Sequence, residues 1–145
     1  MGQDRALREA AYRLLARREH SRHQLRRKLK DRDWCHEEVE ELLDRLEEEG
    51  LQSDLRFAQA FARSRVERGY GPVRIRSELG QRGVDRGLAA QVVDGLEVDW
   101  IELAGSQYRR RYGDTDVDSR KERARRWNAM RRRGFTGEQI RPLLG

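Results

Sequence analysis

The sequence predicts an all-α protein of three tandem three-helix repeats, stacked into an elongated array. Three observations carry this. Leu, Ala, Glu and Arg dominate the 145 residues and only two prolines interrupt them, a composition that favours helices. An apolar pattern recurs around Trp34, Val84 and Phe135, at intervals of 50 and 51 residues, so the chain carries a long-period repeat. On both sides of each anchor the apolar residues keep helical spacing. Charged residues reach 40% against 36% hydrophobic, yet this periodicity argues against disorder. The repeats are 1–50, 51–98 and 99–145. Each is marginal as an independent core, so neighbours are expected to brace one another.

The first helix of repeat one carries Leu7, Ala10, Ala11, Leu14 and Leu15 on one face. Ser21 and Gln24 then make a capping-box pattern, opening a middle helix with Leu25 and Leu29 inward. Trp34 precedes the third helix and Val39 follows five residues later, the spacing of a hydrophobic staple. Cys35 holds the N-cap place, where cysteine is a poor cap. Leu42, Leu43 and Leu46 continue that helix.

Repeat two opens with Ser53 and Asp54, then Phe57, Ala58, Phe61 and Ala62. Gly71 and Pro72 start the middle helix, with proline at N1 where its fixed φ suits the first turn. Ile75 and Leu79 face inward. Val84 staples onto Ala89 behind the cap Asp85, and Val92, Val93 and Leu96 continue.

Repeat three begins with Trp100, Leu103, Ala104 and Tyr108, followed by the longest loop-like stretch, Tyr112 to Ser119. In its middle helix Met130 matches Leu29 and Leu79. Arg126 stands where Leu25 and Ile75 stand and breaks the apolar pattern. Phe135 staples onto Ile140, Thr136 and Gln139 form a capping box, and Leu143 and Leu144 close the repeat.

The net charge is +6, which suits a polyanionic or acidic partner: nucleic acid, an acidic protein or a membrane surface. A chain whose arginines merely solvate helices has the same composition. Repeat one holds 12 basic and 13 acidic residues, repeat two 8 and 6, repeat three 12 and 7. In repeat one the signs separate: Arg17–Arg32 is almost wholly basic and Asp33–Glu49 almost wholly acidic. Mixed signs mark a solvated helix face, so this segregation suggests basic middle helices. Two explanations stay open: an outward surface, or neutralisation by the acidic neighbour helix. The candidate binding residues are Arg26, Arg27, Lys28 and Lys30, then Arg74, Arg76 and Arg82, then Arg123, Arg125, Arg131, Arg132 and Arg133. Guanidinium groups there would grip phosphate or carboxylate in bidentate fashion.

No catalytic constellation is apparent, and no Walker-type loop or nucleophile elbow. His20, His23, Cys35 and His36 match no common zinc spacing, so no metal or cofactor is expected. Trp34, Trp100 and Trp127 could stack on bases, although a staple role suits Trp34 and core packing suits Trp100. One cysteine, no signal-type apolar segment and no run of membrane-spanning length fit a soluble cytoplasmic protein.

The stretch "LQSDLRFAQAFARSRVERGYGPVRIRSELGQRGV" (Leu51 to Val84) resembles the central signature of the RecX family, regulators of the RecA recombinase. "ARREHSRHQLRRKL" (Ala16 to Leu29) and "RRRGFTGEQI" (Arg131 to Ile140) resemble its first-repeat and third-repeat signatures. The family often has two acidic residues before Arg-Phe-Ala, where this chain has Ser53, Asp54 and Leu55. Trp127 to Met130 is an unusual version of the preceding helix. The resemblance implies three three-helix repeats in a curved molecule. It also implies binding to the RecA–DNA filament in its helical groove and suppression of ATP hydrolysis, strand exchange and co-protease function; the chain itself is expected to be a monomer. Weak binding of single- or double-stranded DNA goes with it, and no enzyme activity. Two other readings remain: a direct DNA-binding regulator made of helix-turn-helix-like modules, and a helical scaffold for an unrelated acidic protein.

Overall fold

The computed structural model describes residues 2–30 and 32–145, with side chains from residue 5 onward. Among the described residues there are nine α-helices and no strand. They are α1 (Gly2–Arg17), α2 (Arg22–Lys30), α3 (His36–Glu48), α4 (Asp54–Glu67), α5 (Pro72–Gln81), α6 (Arg86–Asp94), α7 (Trp100–Tyr112), α8 (Arg120–Arg132) and α9 (Gly137–Leu144). By packing, the chain divides into two units, Met1–Phe61 with Leu79–Ala89 and Ala62–Glu78 with Ala90–Gly145. The division passes through α4, α5 and α6.

In the first unit, Leu7, Ala10 and Ala11 of α1 pack with Leu25 and Leu29 of α2 and with Val39, Leu42, Leu43 and Leu46 of α3. Leu14, Leu15 and Trp34 cover the edge of this core half-buried. The helix starts follow local chemistry. Ser21 and Gln24 form both bonds of a capping box: the Gln24 N–H donates to Ser21 Oγ at 3.1 Å, and the Ser21 N–H to Gln24 Oε1 at 3.2 Å. Cys35 occupies the N-cap without a side-chain bond, as its chemistry predicts. Ser53 caps α4 through the Arg56 N–H at 3.2 Å. Asp54 acts elsewhere, its Oδ1 accepting the Arg22 N–H of α2 at 2.9 Å.

The second unit is built on Ala104, Met130, Phe135, Ile140 and Leu144, with Trp100, Leu103, Tyr108, Val117, Trp127 and Leu143 against them. Thr136 and Gln139 complete the predicted capping box. Asp99 caps α7 through the Glu102 N–H at 3.1 Å. Leu96 does not extend a helix as its spacing suggested; α6 stops at Asp94 and Leu96 lies half-buried in the turn beyond.

The break at Arg126 has a physical answer. The residue is only 3% exposed and its charge is fully engaged. Nη1 donates to Tyr108 Oη and to the Thr115 carbonyl, both at 2.8 Å, and Nε donates to Glu122 Oε1 at 3.1 Å. The guanidinium lies 4.5 Å from the centre of the Tyr112 ring. A buried cation is tolerable only when paired and hydrogen-bonded in this way.

The anchors have two tasks. Gly83 and Gly134 take positive φ, at 86° and 107°. The Val84 N–H then donates to the Leu79 carbonyl at 3.0 Å, and the Phe135 N–H to that of Met130 at 3.3 Å. These are Schellman closures, so each anchor ends one helix and staples the next. Repeat one has Asp33 in place of the glycine, and Trp34 closes a tighter turn onto the Arg32 carbonyl at 2.8 Å.

One contact occurs twice, once inside each unit. In the first, Ser21 Oγ donates to the Arg82 carbonyl at 2.6 Å, and a Cβ on Gly83 would collide with His23. In the second, the Gly71 N–H donates to the Arg133 carbonyl and the Val73 N–H to the Gly134 carbonyl, each at 3.0 Å. A Cβ on Gly71 would strike the Gly134 backbone. Thus Gly71 does more than start α5: a second backbone lies where its side chain would be.

Candidate polyanion-binding surface

The twelve sequence-predicted cations separate by what the fold does with them. On α2, Arg26 lies half-buried against α3. Its Nε donates to Glu40 Oε2 at 2.7 Å and Nη2 to Oε1 at 3.0 Å, a bidentate pair. Arg22 beside it reaches Glu40, Asp44 and Glu47 at 3.3, 2.8 and 3.1 Å. The Arg26 hydrogen bond, opposed by burial and supported by Arg22, holds the Glu40 carboxyl down to about 2. On this flank the acidic helix neutralises the basic one, the second of the two explanations the charge pattern left open.

Lys28 faces the other way and its Nζ lies 3.0 Å from His20 Nε2. His20 Nδ1 lies 3.0 Å from the Arg18 carbonyl. A carbonyl can only accept, so Nδ1 carries the proton and Nε2 accepts from the ammonium. Burial, then the charges of Arg18 and Lys28, hold the His20 pKa below its ordinary value against the opposing pull of the Arg18 carbonyl. His20 is therefore a neutral buried hydrogen-bonding link. Among the described residues no three His, Cys, Asp or Glu side chains gather as a metal site would require.

Arg74 is held between Glu78 Oε1 at 3.1 Å and the Tyr70 ring, whose centre is 4.0 Å away. Arg82 lies over the Phe61 ring at 4.4 Å. Arg123 donates to the Leu144 and Gly145 carbonyls at 2.8 and 2.7 Å, tying α8 to the end of α9. Arg125 pairs with Glu122 at 3.0 Å and stays exposed. Arg133 reaches back to the end of α4, donating to the Gly69 and Arg68 carbonyls at 3.1 and 2.6 Å. It also lies 4.8 Å from the centre of the Tyr70 ring. A cation on helix-terminal carbonyls is favoured by the dipole and satisfies orphan acceptors; Arg133 has a structural task.

Arg27, Lys30, Arg76, Arg131 and Arg132 differ. All five are exposed, and among the described residues none makes an ion pair or hydrogen bond through its side chain. Lys30 and Arg131 are register mates, each four residues before its anchor.

The run Arg109–Arg111 at the end of α7 lies outside the twelve predicted cations. Arg110 and Arg111, with Gln107 of α7 and Ala129, Met130 and Arg133, line a cleft of about 230 Å³ within the second unit. The run is visible in the sequence as "YRRRY" (Tyr108 to Tyr112), on a first helix and not a middle one. Among the described residues no helix is long and apolar enough to cross a membrane.

Comparison with known proteins covers nearly the whole chain. Family models of the first, second and third three-helix domains of RecX match residues 8–46, 53–93 and 97–144. The protein named Regulatory protein RecX in Halorhodospira halophila is 48% identical over 136 residues, covering 94% of this chain and 84% of its own. The one in Pseudomonas entomophila is 45% identical over 139 residues, covering 96% and 90%. The crystal structure of RecX from Lactobacillus salivarius superposes with a TM-score of 0.80 at 21% identity, covering 98% of this chain and 95% of that one. At that identity the superposition speaks to the fold.

Proposed function

The chain belongs to the RecX family of regulatory proteins, and on that premise we propose that it modulates the RecA recombinase by docking in the groove of the RecA–DNA filament. It acts as a monomeric, cytoplasmic, non-enzymatic inhibitor, lowering ATP hydrolysis, strand exchange and co-protease function. The observation behind the contact surface is a set of exposed cations without an ion-pair partner among the described residues: Arg27, Lys30, Arg76, Arg131 and Arg132. Burying these cations in an ion pair would cost desolvation, so rim contacts to carboxylate or phosphate, sensitive to salt, are their natural use. Arg26, Arg74 and Arg133, already engaged inside the chain, hold the scaffold that presents them.

The test is RecA ATP hydrolysis on single-stranded DNA, titrated with this protein and with Arg131→Glu/Arg132→Glu. The wild-type protein inhibits, and the variant needs about tenfold more protein for the same effect. Unchanged inhibition by the variant removes these two residues from the contact. No inhibition by wild type, with tight RecA-independent binding to duplex DNA, replaces the proposal with the DNA-binding-regulator reading.

A further inference from the structure

A groove of about 710 Å³ runs between α1 and α2 in the first unit. Leu14 and Leu29 lie along it, and Arg13, Arg17, Lys28 and Arg32 surround them. Among the described residues that line it there is no carboxylate. The two flanks of α2 thus differ in kind. Toward α3, Arg22 and Arg26 are matched by Glu40, Asp44 and Glu47. Toward α1, Arg13, Arg17, Lys28 and Arg32 meet, with no acid among the described residues of the groove wall. Burial first, then the charges of Arg18 and Arg17, hold the Lys28 ammonium below its ordinary pKa. Clustered like charges attract a negative partner.

We propose that this groove is a docking site for an acidic peptide segment whose aliphatic side chains seat on Leu14 and Ala16 while its carboxylates meet Arg13, Arg17, Lys28 and Arg32. The volume falls in the range of ligand pockets, and the groove is half open to solvent. Its floor is aliphatic, with no aromatic ring among the lining residues on which a base would stack, whereas single-strand sites combine cations with aromatic platforms. An amphipathic helix laid into an apolar groove with charged edges is an established recognition mode. The inference goes beyond the RecA reading and does not depend on which protein supplies the segment.

The test uses the full chain and a fluorescein-labelled peptide of repeated Glu-Glu-Leu-Leu, followed by fluorescence anisotropy at about 0.1 M salt. A Gln-Gln-Leu-Leu peptide and a labelled oligothymidylate serve as comparison probes. Arg13 and Arg17 are exposed, so Arg13→Glu/Arg17→Glu keeps the fold, checked by circular dichroism. Arg63→Glu/Arg86→Glu changes the net charge equally at exposed positions outside the groove lining. The groove variant weakens binding of the acidic peptide by about tenfold or more and the control by less than about twofold, while oligothymidylate binding changes little. Equal loss in both variants, no binding of the acidic peptide by the wild type, or a larger loss on oligothymidylate than on the peptide would each overturn the proposal.

Discussion

Glu40 is held by the guanidinium of Arg26 and, more weakly, by Arg22. Its folded pKa of about 2 lies below its ordinary 4.5. The stabilisation is therefore complete above pH 4.5 and is lost as pH falls from there toward 2. Because the pair is partly open to solvent, its worth is on the order of 1–2 kcal/mol. Urea unfolding at pH 7 and pH 3 measures it, and Glu40→Gln flattens that part of the pH dependence. His20 works in the same proton sense at a higher pH, because here the fold favours the neutral ring. Its pKa is lowered in the fold, so stability falls as pH drops below the ordinary 6.5, and His20→Gln removes that slope while keeping a polar side chain. Arg126 makes the third residue-scale case. Arg126→Leu restores the apolar pattern of Leu25 and Ile75 but strands Tyr108 Oη and the Thr115 carbonyl. Hydrogen exchange in residues 113–118 should then accelerate, and an unchanged exchange pattern would show that Arg126 does not hold that loop. The sequence marked Arg126 as an exception and left its partners hidden, because Tyr108 and Thr115 lie 18 and 11 residues away.

At the scale of elements, the close meeting of α5 with the turn after α8 is the contact most sensitive to substitution. Gly134 has φ +107°, and a Cβ there would come within 2.9 Å of the Arg74 nitrogen. Gly134→Ala combines backbone strain with collision and should cost about 2–3 kcal/mol, read from chemical denaturation. Gly50 has positive φ but open space around it, so Gly50→Ala should cost about 1 kcal/mol. Equal costs would mean that crowding at the α5 contact is unimportant. Most helix starts were legible because a cap acts within a few residues: Ser21 with Gln24, Asp85 with the Gly87 and Leu88 N–H groups, and Thr136 with Gln139. Asp54 was legible as a helix-start residue, but its capping of α2, 32 residues away, was not. The anchors read as staples, and their second task of closing Schellman turns was written in the glycine before Val84 and Phe135.

For the whole molecule, the net charge of +6 conceals a division of labour. Many of its cations are engaged inside the fold, with carboxylates, aromatic rings or helix-terminal carbonyls; others stand in solvent. Substituting the two classes should therefore affect different properties. Arg131→Ala/Arg132→Ala should leave stability within about 0.5 kcal/mol of the parent, whereas Arg133→Ala, which strips the Arg68 and Gly69 carbonyls of a partner, should cost about 1–3 kcal/mol. Thermal unfolding by circular dichroism separates them. If Arg131 and Arg132 prove as costly as Arg133, they are scaffold and not free surface. Partner binding through the free class should weaken steeply as salt rises, because exposed charges are screened.

The sequence by itself determined the helices, their order, the three-fold repetition and most of the buried face, because periodicity, caps and staples act over a few residues and recur at each repeat. It also carried the resemblance that named the family. It did not determine which cations are available. Arg26 and Arg27 are neighbours in the chain, yet one is locked to Glu40 while the other is exposed. Arg132 and Arg133 are neighbours too, yet only Arg133 turns back onto α4. That choice belongs to tertiary structure, because the helical turn sends adjacent side chains to different faces, and only the packed neighbour decides whether a face meets carboxylate, carbonyl or water.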